Sequence, residues 1–447
     1  MGTATLKKTF SHGIHPPEHK AATVESAITP LPFPPGLVIP LSQHTGAPAR
    51  PIVEPKQEVA RGDKIAEAGG FVSVPMHAPA KSTVAKIGLA LTPSGAMTPA
   101  IFLKVDLESE QEPPPEADSA ASNALTPEEL VAAVQETGMV GLGGAAFPTH
   151  VKMLVPKGKR VDTVVVNGCE CEPYLTTDHR VMLEASEDLF TGVRIALRAT
   201  QAGCAIIGIE TNKPDAIKAL AKAAESDSRI RVAPVKTKYP QGAEKMLIKA
   251  LLKREVPSGG LPIDVNAAVF NVATLAQLGR LLPRKQGLIE RVVTVTGPGV
   301  ERPGNYLVPL GTPVQFLLDH AGMKDTARQV ILGGPMMGVA IASLEIPVTK
   351  GVSGILVLTD KELAQRPTKV YPCIRCGQCI QACPMFLNPS RLGLLSRKEQ
   401  YAVMEERYHL NDCFECGCCA YVCPSNIPLV QYMRIAKAVN RERKTAK

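Results

Sequence analysis

The sequence predicts a multidomain α+β protein with a β-rich N-terminal domain, an α/β domain, a small β-grasp domain and a helical C-terminal domain. With 447 residues the chain is too long for a single core. Strand and helix patterns alternate in its middle third, which is typical of an open, mostly parallel sheet. Eight of its 12 cysteines form two copies of one pattern near the C-terminus, and this pattern indicates the class of chemistry.

The composition excludes several classes of protein. Hydrophobic residues make up 45% and charged residues 21% of the chain, so wholesale disorder is excluded. Aromatic residues are only 4%, and the net charge of +8 is modest, so we expect no nucleic-acid partner. No apolar run reaches the roughly 18 residues of a membrane span, and the start MGTATLKKTF lacks a signal peptide's apolar core. We therefore expect a cytoplasmic location, where clustered cysteines usually bind metal or act in catalysis.

The N-terminal domain, residues 1–107, contains several short strands separated by Gly and Pro turns. It resembles the half-barrel of biotinyl and lipoyl carrier domains, a barrel-sandwich hybrid. Those carriers present a lysine at a hairpin tip, but the matching stretch here, FVSVPMHAP at 71–79, has none. A swinging-arm role is therefore not expected. Residues 108–126 are acidic and Pro-rich, and we interpret them as a linker.

The α/β domain is predicted over residues 127–255. Its first helix begins with a capping box, in which Thr126 is the N-cap, Pro127 is N1 and Glu129 is N3. The predicted strands are 162–167, 204–210 and 230–235, and the predicted helices are 178–199, 214–225 and 242–252. Ligands of such sheets bind beyond the carboxyl ends of the strands.

A β-grasp domain is predicted over residues 256–358, because residues 290–322 have a strand–turn–strand–helix pattern. The last domain, 359–447, carries the cysteines and two amphipathic helical stretches. The pattern of helices around the cysteines indicates a helical variety of ferredoxin domain.

The cysteine runs share the spacing Cys-x2-Cys-x2-Cys-x3-Cys-Pro, which is typical of two-cluster ferredoxins. In that pattern the fourth cysteine of each run binds the cluster held by the other run. We therefore assign one [4Fe–4S] cluster to Cys373, Cys376, Cys379 and Cys423. The second cluster is assigned to Cys383, Cys413, Cys416 and Cys419. A pair of zinc sites is the alternative, although zinc motifs normally pair two Cys-x2-Cys knuckles or add His.

Four polar segments follow predicted strands or open predicted helices. They are GLGGAAFPTHVK at 141–152, NGCECEPY at 167–174 with TDHR at 177–180, YPQGAEK at 239–245, and NVATL at 271–275. Glycines permit the close backbone approach that a phosphate cradle needs. Taken alone, the first segment fits a plain Gly-rich turn equally well, since it is neither a dinucleotide fingerprint nor a P-loop.

Together, in this order, the four segments resemble the flavin-bearing, NADH-oxidising subunit of respiratory complex I. With the HGIHPPEHK start, the half-barrel and the doubled cysteine run, the whole chain resembles the RnfC (RsxC) family of electron transport proteins. The resemblance implies that the α/β unit is a Rossmann-like FMN/NADH domain. It also implies that the β-grasp unit is of the SLBB type.

The resemblance implies cofactor-binding roles for particular residues. For flavin and nicotinamide these are Gly143, Gly144, Ala145, Phe147, Lys152, Asn167, Glu170, Glu172, Asp178 and Glu244. Leu142 stands where the complex I loop usually has Arg, and Ala146 stands where it has Gly. A methyl group at Ala146 would crowd a backbone of positive φ. No side chain is expected to act as a catalytic acid, base or nucleophile, because the cofactors carry the chemistry.

The implied function is that of a peripheral subunit in a membrane-bound, ion-translocating ferredoxin:NAD oxidoreductase, the Rnf (Rsx) complex. It would exchange hydride with NAD(H) at non-covalent FMN and pass single electrons through the two clusters. Its expected partners are the other subunits, through which it would contact the cytoplasmic face of the inner membrane, and a ferredoxin or flavodoxin that reacts with the complex. The alternatives are a soluble, cobalamin-reductase-like enzyme and a passive electron relay that binds no NADH.

Overall fold

The structure, a computed structural model, describes residues 8–111, 113, 115–364 and 369–445. The first seven residues, part of the basis for expecting no signal peptide, lie outside it. No helix within the described residues is long and apolar enough to span a bilayer.

The N-terminal domain consists of two small antiparallel sheets that share one core. Its strands are β2 Gly36–Pro40, β3 Arg50–Pro51, β4 Glu58–Val59, β5 Lys64–Glu67, β6 Met76–His77, β7 Ser82–Leu91 and β8 Met97–Val105; β1, Ile28–Pro30, precedes them. The strand order is β2-β8-β7-β4 in one sheet and β3-β5-β6 in the other. Apolar side chains from both sheets, such as Leu37, Ile65 and Ile101, are fully buried between them.

The first thirty residues do not belong to this domain, although the sequence prediction placed them there. β1 pairs in parallel with Gly304–Pro309 in the β-grasp domain. Lys8 and Ile14 form isolated bridges to Val235 and Tyr239 of the α/β domain. This segment therefore runs along the outside of two other domains, since its backbone groups pair there.

The stretch predicted to be a linker ends in a docked helix, α1, Ser119–Ala124. Asp118 accepts a hydrogen bond from the Ala121 N–H (2.8 Å) and so caps it. Arg198 donates to the carbonyl oxygens of Asn123 (2.9 Å) and Leu125 (2.7 Å). The 108–126 prediction is thus wrong for its last third, because an N-cap and an arginine fix that part against the α/β domain.

The α/β domain has a parallel sheet of order β11-β10-β9-β12. Its elements are α2 Pro127–Glu136, α3 Thr149–Met153, β9 Thr163–Gly168, α4 Thr177–Glu184, α5 Ser186–Thr200, β10 Cys204–Glu210, α6 Pro214–Ala224, β11 Ile230–Val235, α7 Glu244–Leu252, β12 Ala267–Asn271 and α8 Val272–Leu281. The predicted capping box at Thr126 is present. The predicted single helix over 178–199 is two helices, divided at Ala185, whose φ of −127° is not helical.

The predicted end of this domain at residue 255 is wrong. β12 pairs with β9 along its whole length, and α8 packs on α5. The two helices approach so closely at Gly192 that a Cβ there would lie 1.8 Å from the Leu275 carbonyl oxygen. The α/β domain therefore extends through Leu281, and this extension brings Asn271 to the carboxyl edge of the sheet.

The β-grasp domain has a six-stranded mixed sheet of order β1-β14-β13-β17-β15-β16. Its elements are β13 Glu290–Thr296, β14 Gly304–Pro309, α9 Val314–Ala321, β15 Ala327–Leu332, β16 Val339–Ile341 and β17 Gly354–Thr359. Val314, Leu317 and Leu318 of α9 are fully buried against this sheet.

The C-terminal domain is helical, as predicted. Its helices are α11 Gln378–Ala382, α12 Pro389–Ser396, α13 Tyr401–Tyr408, α14 Cys418–Tyr421 and α15 Leu429–Thr445; α10, Asp360–Ala364, directly follows β17. Leu392, Met404, Leu410 and Met433 form the core of the domain. The cysteine runs provide the loops that precede α11 and α14.

Candidate functional site

The two cysteine loops have the same backbone conformation. Arg375 and Glu415, each two residues after the first cysteine of its run, have φ of 57° and 63°. Gly377 and Gly417, two residues further on, have φ of 77° and 85°. Left-handed residues turn the chain back on itself, so the three cysteines of each loop face a common centre.

One set of four cysteines surrounds a cavity in the ferredoxin domain. Cys383 reaches this cavity from the first run, and Cys413, Cys416 and Cys419 reach it from the second. Apolar side chains, including Leu392, Val430 and Met433, complete the lining. The structure thus brings together the four residues that the spacing assigned to the second cluster.

The other predicted set also lies together. Burial raises the pKa of the Cys379 thiol, and the neighbouring thiols Cys423, Cys376 and Cys373 raise it further. Cys376 is exposed, whereas Cys379 is buried. Four thiols around each of two positions are the donor set of a [4Fe–4S] cluster, so the residues present fit two such clusters. No group of three or more His, Cys, Asp or Glu among the described residues is arranged to hold a single metal ion.

At the carboxyl edge of the parallel sheet, two asparagines stand side by side. Asn167 of β9 and Asn271 of β12 are register partners. The Asn167 amide donates to the Gly242 carbonyl (2.8 Å), and the Asn271 amide donates to Asp178 (2.6 Å). These two bonds connect the polar segments that the sequence singled out.

The Gly-rich loop lies over this edge. A Cβ on Gly143 would lie 3.1 Å from Asn271, whereas Gly144, at φ 143°, has open space where a Cβ would be. The Phe147 carbonyl accepts from the Gly141 N–H (2.8 Å) and closes the loop. Ala146 has φ 48°, so its methyl group does occupy a left-handed backbone, as the sequence suggested.

Two other domains hold the loop in place. Thr45 of the N-terminal domain donates from its hydroxyl to the Ala145 carbonyl and from its N–H to the Ala146 carbonyl (both 3.3 Å). Arg291 of the β-grasp domain, which is fully buried, donates to the Leu142 carbonyl (3.3 Å). The conformation of the loop therefore depends on residues that sequence reasoning did not select.

The two predicted glutamates of the acidic loop bind protein N–H groups. Glu170 accepts from the N–H groups of Asp178 (2.6 Å) and His179 (3.2 Å) at the start of α4. Glu172 accepts from the N–H groups of Met336 (2.6 Å) and Met337 (3.1 Å) in the β-grasp domain. Their carboxylates thus shape the site by anchoring a helix terminus and a neighbouring domain.

Asp178 is buried between these groups. Burial raises its pKa to about 7, and the nearby Glu170 carboxylate adds to the shift. The hydrogen bond from Asn271 acts in the opposite direction. A carboxyl group with this pKa carries a proton for part of the time at neutral pH.

Lys152 and Glu244 form an ion pair (3.4 Å) at the rim, and about one third of each side chain is exposed. Nearby, both polar atoms of the buried Gln241 amide lack a hydrogen-bond partner among the described residues. A buried amide without partners and open space at Gly144 fit a planar, polar ring system such as a flavin. Gln241 stood within a selected segment, but its residue type gave no reason to choose it.

The ferredoxin domain contacts the α/β domain beside this edge. The buried Tyr239 donates from its hydroxyl to the carbonyl of Cys416 (2.7 Å). A Cβ on Gly417 would lie 3.2 Å from the Met336 carbonyl oxygen. Ile14, Tyr239, Ala382 and Cys418 pack together in one buried apolar cluster. The cysteine set around Cys416 is therefore the one that faces the carboxyl edge of the sheet.

Four family profiles match consecutive parts of the chain. They are the RnfC barrel sandwich hybrid domain at residues 8–108, the Nuo51 FMN-binding domain at 134–280, the SLBB domain at 292–340 and the 4Fe-4S dicluster domain at 369–427. These matches confirm the predicted fold classes. A crystal structure of an NAD+-reducing [NiFe]-hydrogenase in the H2-reduced state is similar in fold, with a TM-score of 0.51 and 18% identity over 74% of this chain and 69% of that one.

Curated relatives match over nearly the full length. The RnfC-type component of a proton-translocating ferredoxin:NAD(+) oxidoreductase complex from Clostridium ljungdahlii is 44% identical over 99% of this chain and 97% of its own. The corresponding component of the Na(+)-translocating complex of Acetobacterium woodii is 41% identical over 88% of each chain. That of the ion-translocating oxidoreductase complex of Rhodobacter capsulatus is 38% identical over 97% of this chain and 84% of its own. The chain belongs to the RnfC family, a component of ion-translocating oxidoreductase complexes.

Proposed function

We propose that this protein is the NAD(H)-reacting, peripheral subunit of a membrane-bound, ion-translocating ferredoxin:NAD oxidoreductase. It contacts the cytoplasmic side of the membrane through the other subunits of the complex. A ferredoxin or flavodoxin exchanges electrons with it through those subunits. Family membership over nearly the full chain supports this assignment.

The observation that carries the proposal is the bond from Tyr239 to the Cys416 carbonyl. It joins the carboxyl edge of the parallel sheet, where the flavin is proposed to bind, directly to a loop proposed to hold an iron–sulfur cluster. A flavin bound at this flavin edge accepts a hydride, which carries two electrons, and returns the electrons singly, as clusters require. A direct contact between the two sites is what this division of electrons needs.

The residues of the flavin edge have distinct roles in the proposal. The backbone of Gly143, Gly144, Ala145 and Phe147 lines the ring and nicotinamide side, and Asn167, Asp178 and Gln241 offer polar groups. Glu170 and Glu172 hold the acidic loop in shape through the N–H groups they bind. Asp178, with a pKa of about 7, can donate or accept a proton at its carboxyl oxygen.

Lys152 is proposed to bind the FMN phosphate. Its ammonium group now pairs with Glu244, and this pair is partly open to solvent. A phosphate dianion offers more negative charge than one carboxylate, so Lys152 can exchange partners. Glu244 is then free to face the nicotinamide half of the site.

Anaerobic addition of NADH to the purified, iron-reconstituted protein tests the proposal. We expect the flavin absorbance to bleach first and the cluster absorbance to fall afterwards. The control is the variant Cys376→Ala/Cys416→Ala, which removes a ligand of each proposed cluster and retains flavin bleaching. A bound flavin that NADH fails to bleach would instead identify a passive relay.

A further inference from the structure

We propose that residues 12–20, HGIHPPEHK, form a strap that positions the flavin loop and the dicluster domain relative to each other for electron transfer. The inference rests on the proposed function, because it assigns a role within the same electron path. These residues have no regular secondary structure. Their contacts reach both proposed cofactor sites.

The beginning of the strap binds the segment that carries Cys383. His12 donates from Nδ1 to the Cys383 carbonyl (3.0 Å), and the Gly13 N–H donates to the Ala382 carbonyl (3.2 Å). The His12 ring also packs on Phe386, with the ring centroids 4.4 Å apart. Cys383 is the ligand that crosses from the first cysteine run into the cavity near the flavin edge. The strap therefore holds the backbone of a proposed cluster ligand.

The middle of the strap binds the residue that bridges the two domains. Ile14 and Tyr239 exchange two backbone hydrogen bonds, of 2.8 and 2.9 Å. The hydroxyl of the same tyrosine binds the Cys416 carbonyl. Gly13 has φ 78°, and a Cβ there would lie only 2.6 Å from the Tyr239 carbonyl oxygen and 2.9 Å from the Phe10 ring. Any other residue at position 13 must displace the strap from Tyr239.

The end of the strap binds the acidic loop. The Lys20 ammonium group donates to the carbonyl oxygens of Glu170 (2.9 Å), Glu172 (3.1 Å) and Leu175. It also lies 3.9 Å from the Glu170 carboxylate. Lysine has three N–H donors, and here all three are used in a place where only 8% of the residue is exposed. The Tyr174 N–H donates to the Glu18 carbonyl (2.8 Å), which adds a second attachment.

Lys20 and the start of the strap are expected to have separable effects. Lys20→Met keeps the length of the side chain but leaves three carbonyl oxygens and the Glu170 carboxylate without their cation. We expect this variant to lose flavin while keeping its iron. Gly13→Ala must move the strap by nearly 1 Å to restore normal contacts. A misplacement of about 1 Å can slow a reaction by about 10- to 100-fold, so electron transfer from flavin to cluster should slow by at least 10-fold.

The experiment uses the full chain with both cofactors. Stopped-flow absorbance after NADH addition follows flavin and cluster reduction separately in wild type, Gly13→Ala, the milder His12→Ala, and Lys20→Met. The control is Ser11→Ala, an exposed neighbour outside the strap. Hydrogen–deuterium exchange of residues 170–175, 382–387 and 413–417 measures the attachment of the loops independently of activity.

The expected result for Gly13→Ala is a wild-type rate of flavin reduction, slow cluster reduction and faster exchange at 382–387. His12→Ala should show the same pattern to a smaller degree, and Lys20→Met should show faster exchange at 170–175. Equal slowing of flavin and cluster reduction would overturn the proposal, because a strap that only stabilises the fold predicts it. Wild-type cluster reduction and exchange in Gly13→Ala would overturn it as well.

Failure of the proposed function can be told apart from failure of the strap. If NADH does not reduce the flavin of the wild-type protein, the proposed function fails. Flavin reduction by light, with EDTA as electron donor, then starts the same internal transfer. The Gly13→Ala comparison and the exchange measurements retain their meaning under those conditions.

Discussion

Replacing Cys423 with alanine tests how the eight cysteines are divided. Cys423 belongs to the second run in sequence, yet its thiol neighbours Cys379 of the first run. The variant should therefore leave three thiols in the exposed set and four in the set around Cys416. Loss of one [4Fe–4S] cluster removes about four of about eight irons, so the iron content should fall by about half.

Double variants show which cluster is lost. Cys423→Ala/Cys376→Ala affects one set twice, so it should lose no more iron than either single variant. Cys423→Ala/Cys416→Ala affects both sets and should lose nearly all the iron. Cys418→Ala is the matched control, since Cys418 is buried beside Cys416 but belongs to neither proposed set.

The assay combines iron analysis with EPR spectra of the reduced protein. The Cys423→Ala spectrum should match that of Cys376→Ala, and the Cys383→Ala spectrum should match that of Cys416→Ala. The interleaved division would be refuted if Cys423→Ala and Cys416→Ala abolished the same signal. It would also be refuted if their combination retained half of the iron.

Three further predictions concern the flavin edge. Tyr239→Phe removes the bond to Cys416 and should lower the free energy of unfolding by about 1 kcal/mol in urea titrations; Tyr306→Phe, which loses an equivalent bond to the Arg302 carbonyl, should match this loss without shifting a cluster midpoint potential. Asp178, with its pKa raised to about 7, keeps its proton in the folded state while the unfolded chain loses it near pH 4, so stability should fall as pH rises between these values. Asp178→Asn should flatten that dependence, and an unchanged slope would contradict the assigned pKa. Ala146→Gly relieves a left-handed alanine and should raise the melting temperature, by up to about 1 kcal/mol of stability; a fall would show that the methyl group packs usefully.

The parts of the structure that sequence predicted well are those specified by local spacing. The cysteine runs repeat a short interval, and the loops that result are fixed by a few backbone angles within each run. The capping box at Thr126 is likewise a matter of four adjacent residues. Such patterns need no knowledge of distant contacts.

The parts that sequence reasoning missed depend on contacts between distant segments. β12 could be assigned to the parallel sheet only from its pairing with β9, about a hundred residues earlier. Lys20 and Arg291 were not selected because their partners are backbone carbonyl oxygens, which leave no trace in residue type. The glutamates were selected as members of the site, but their partners Met336 and Asp178 became known only from the fold.

The position of the strap in the chain has a consequence for the order of assembly. The strap is among the first residues to be synthesised, yet the Cys383 carbonyl that His12 binds lies 371 residues later. Contacts that close so long a loop form late, after the domains between them have folded. Docking of the strap is therefore expected to follow folding of the cysteine loops, and with it delivery of iron and sulfide. Exposure of residues 12–20 to proteases would then mark chains whose metal centres are incomplete, so cells and purifications can separate finished molecules from unfinished ones at the N-terminus.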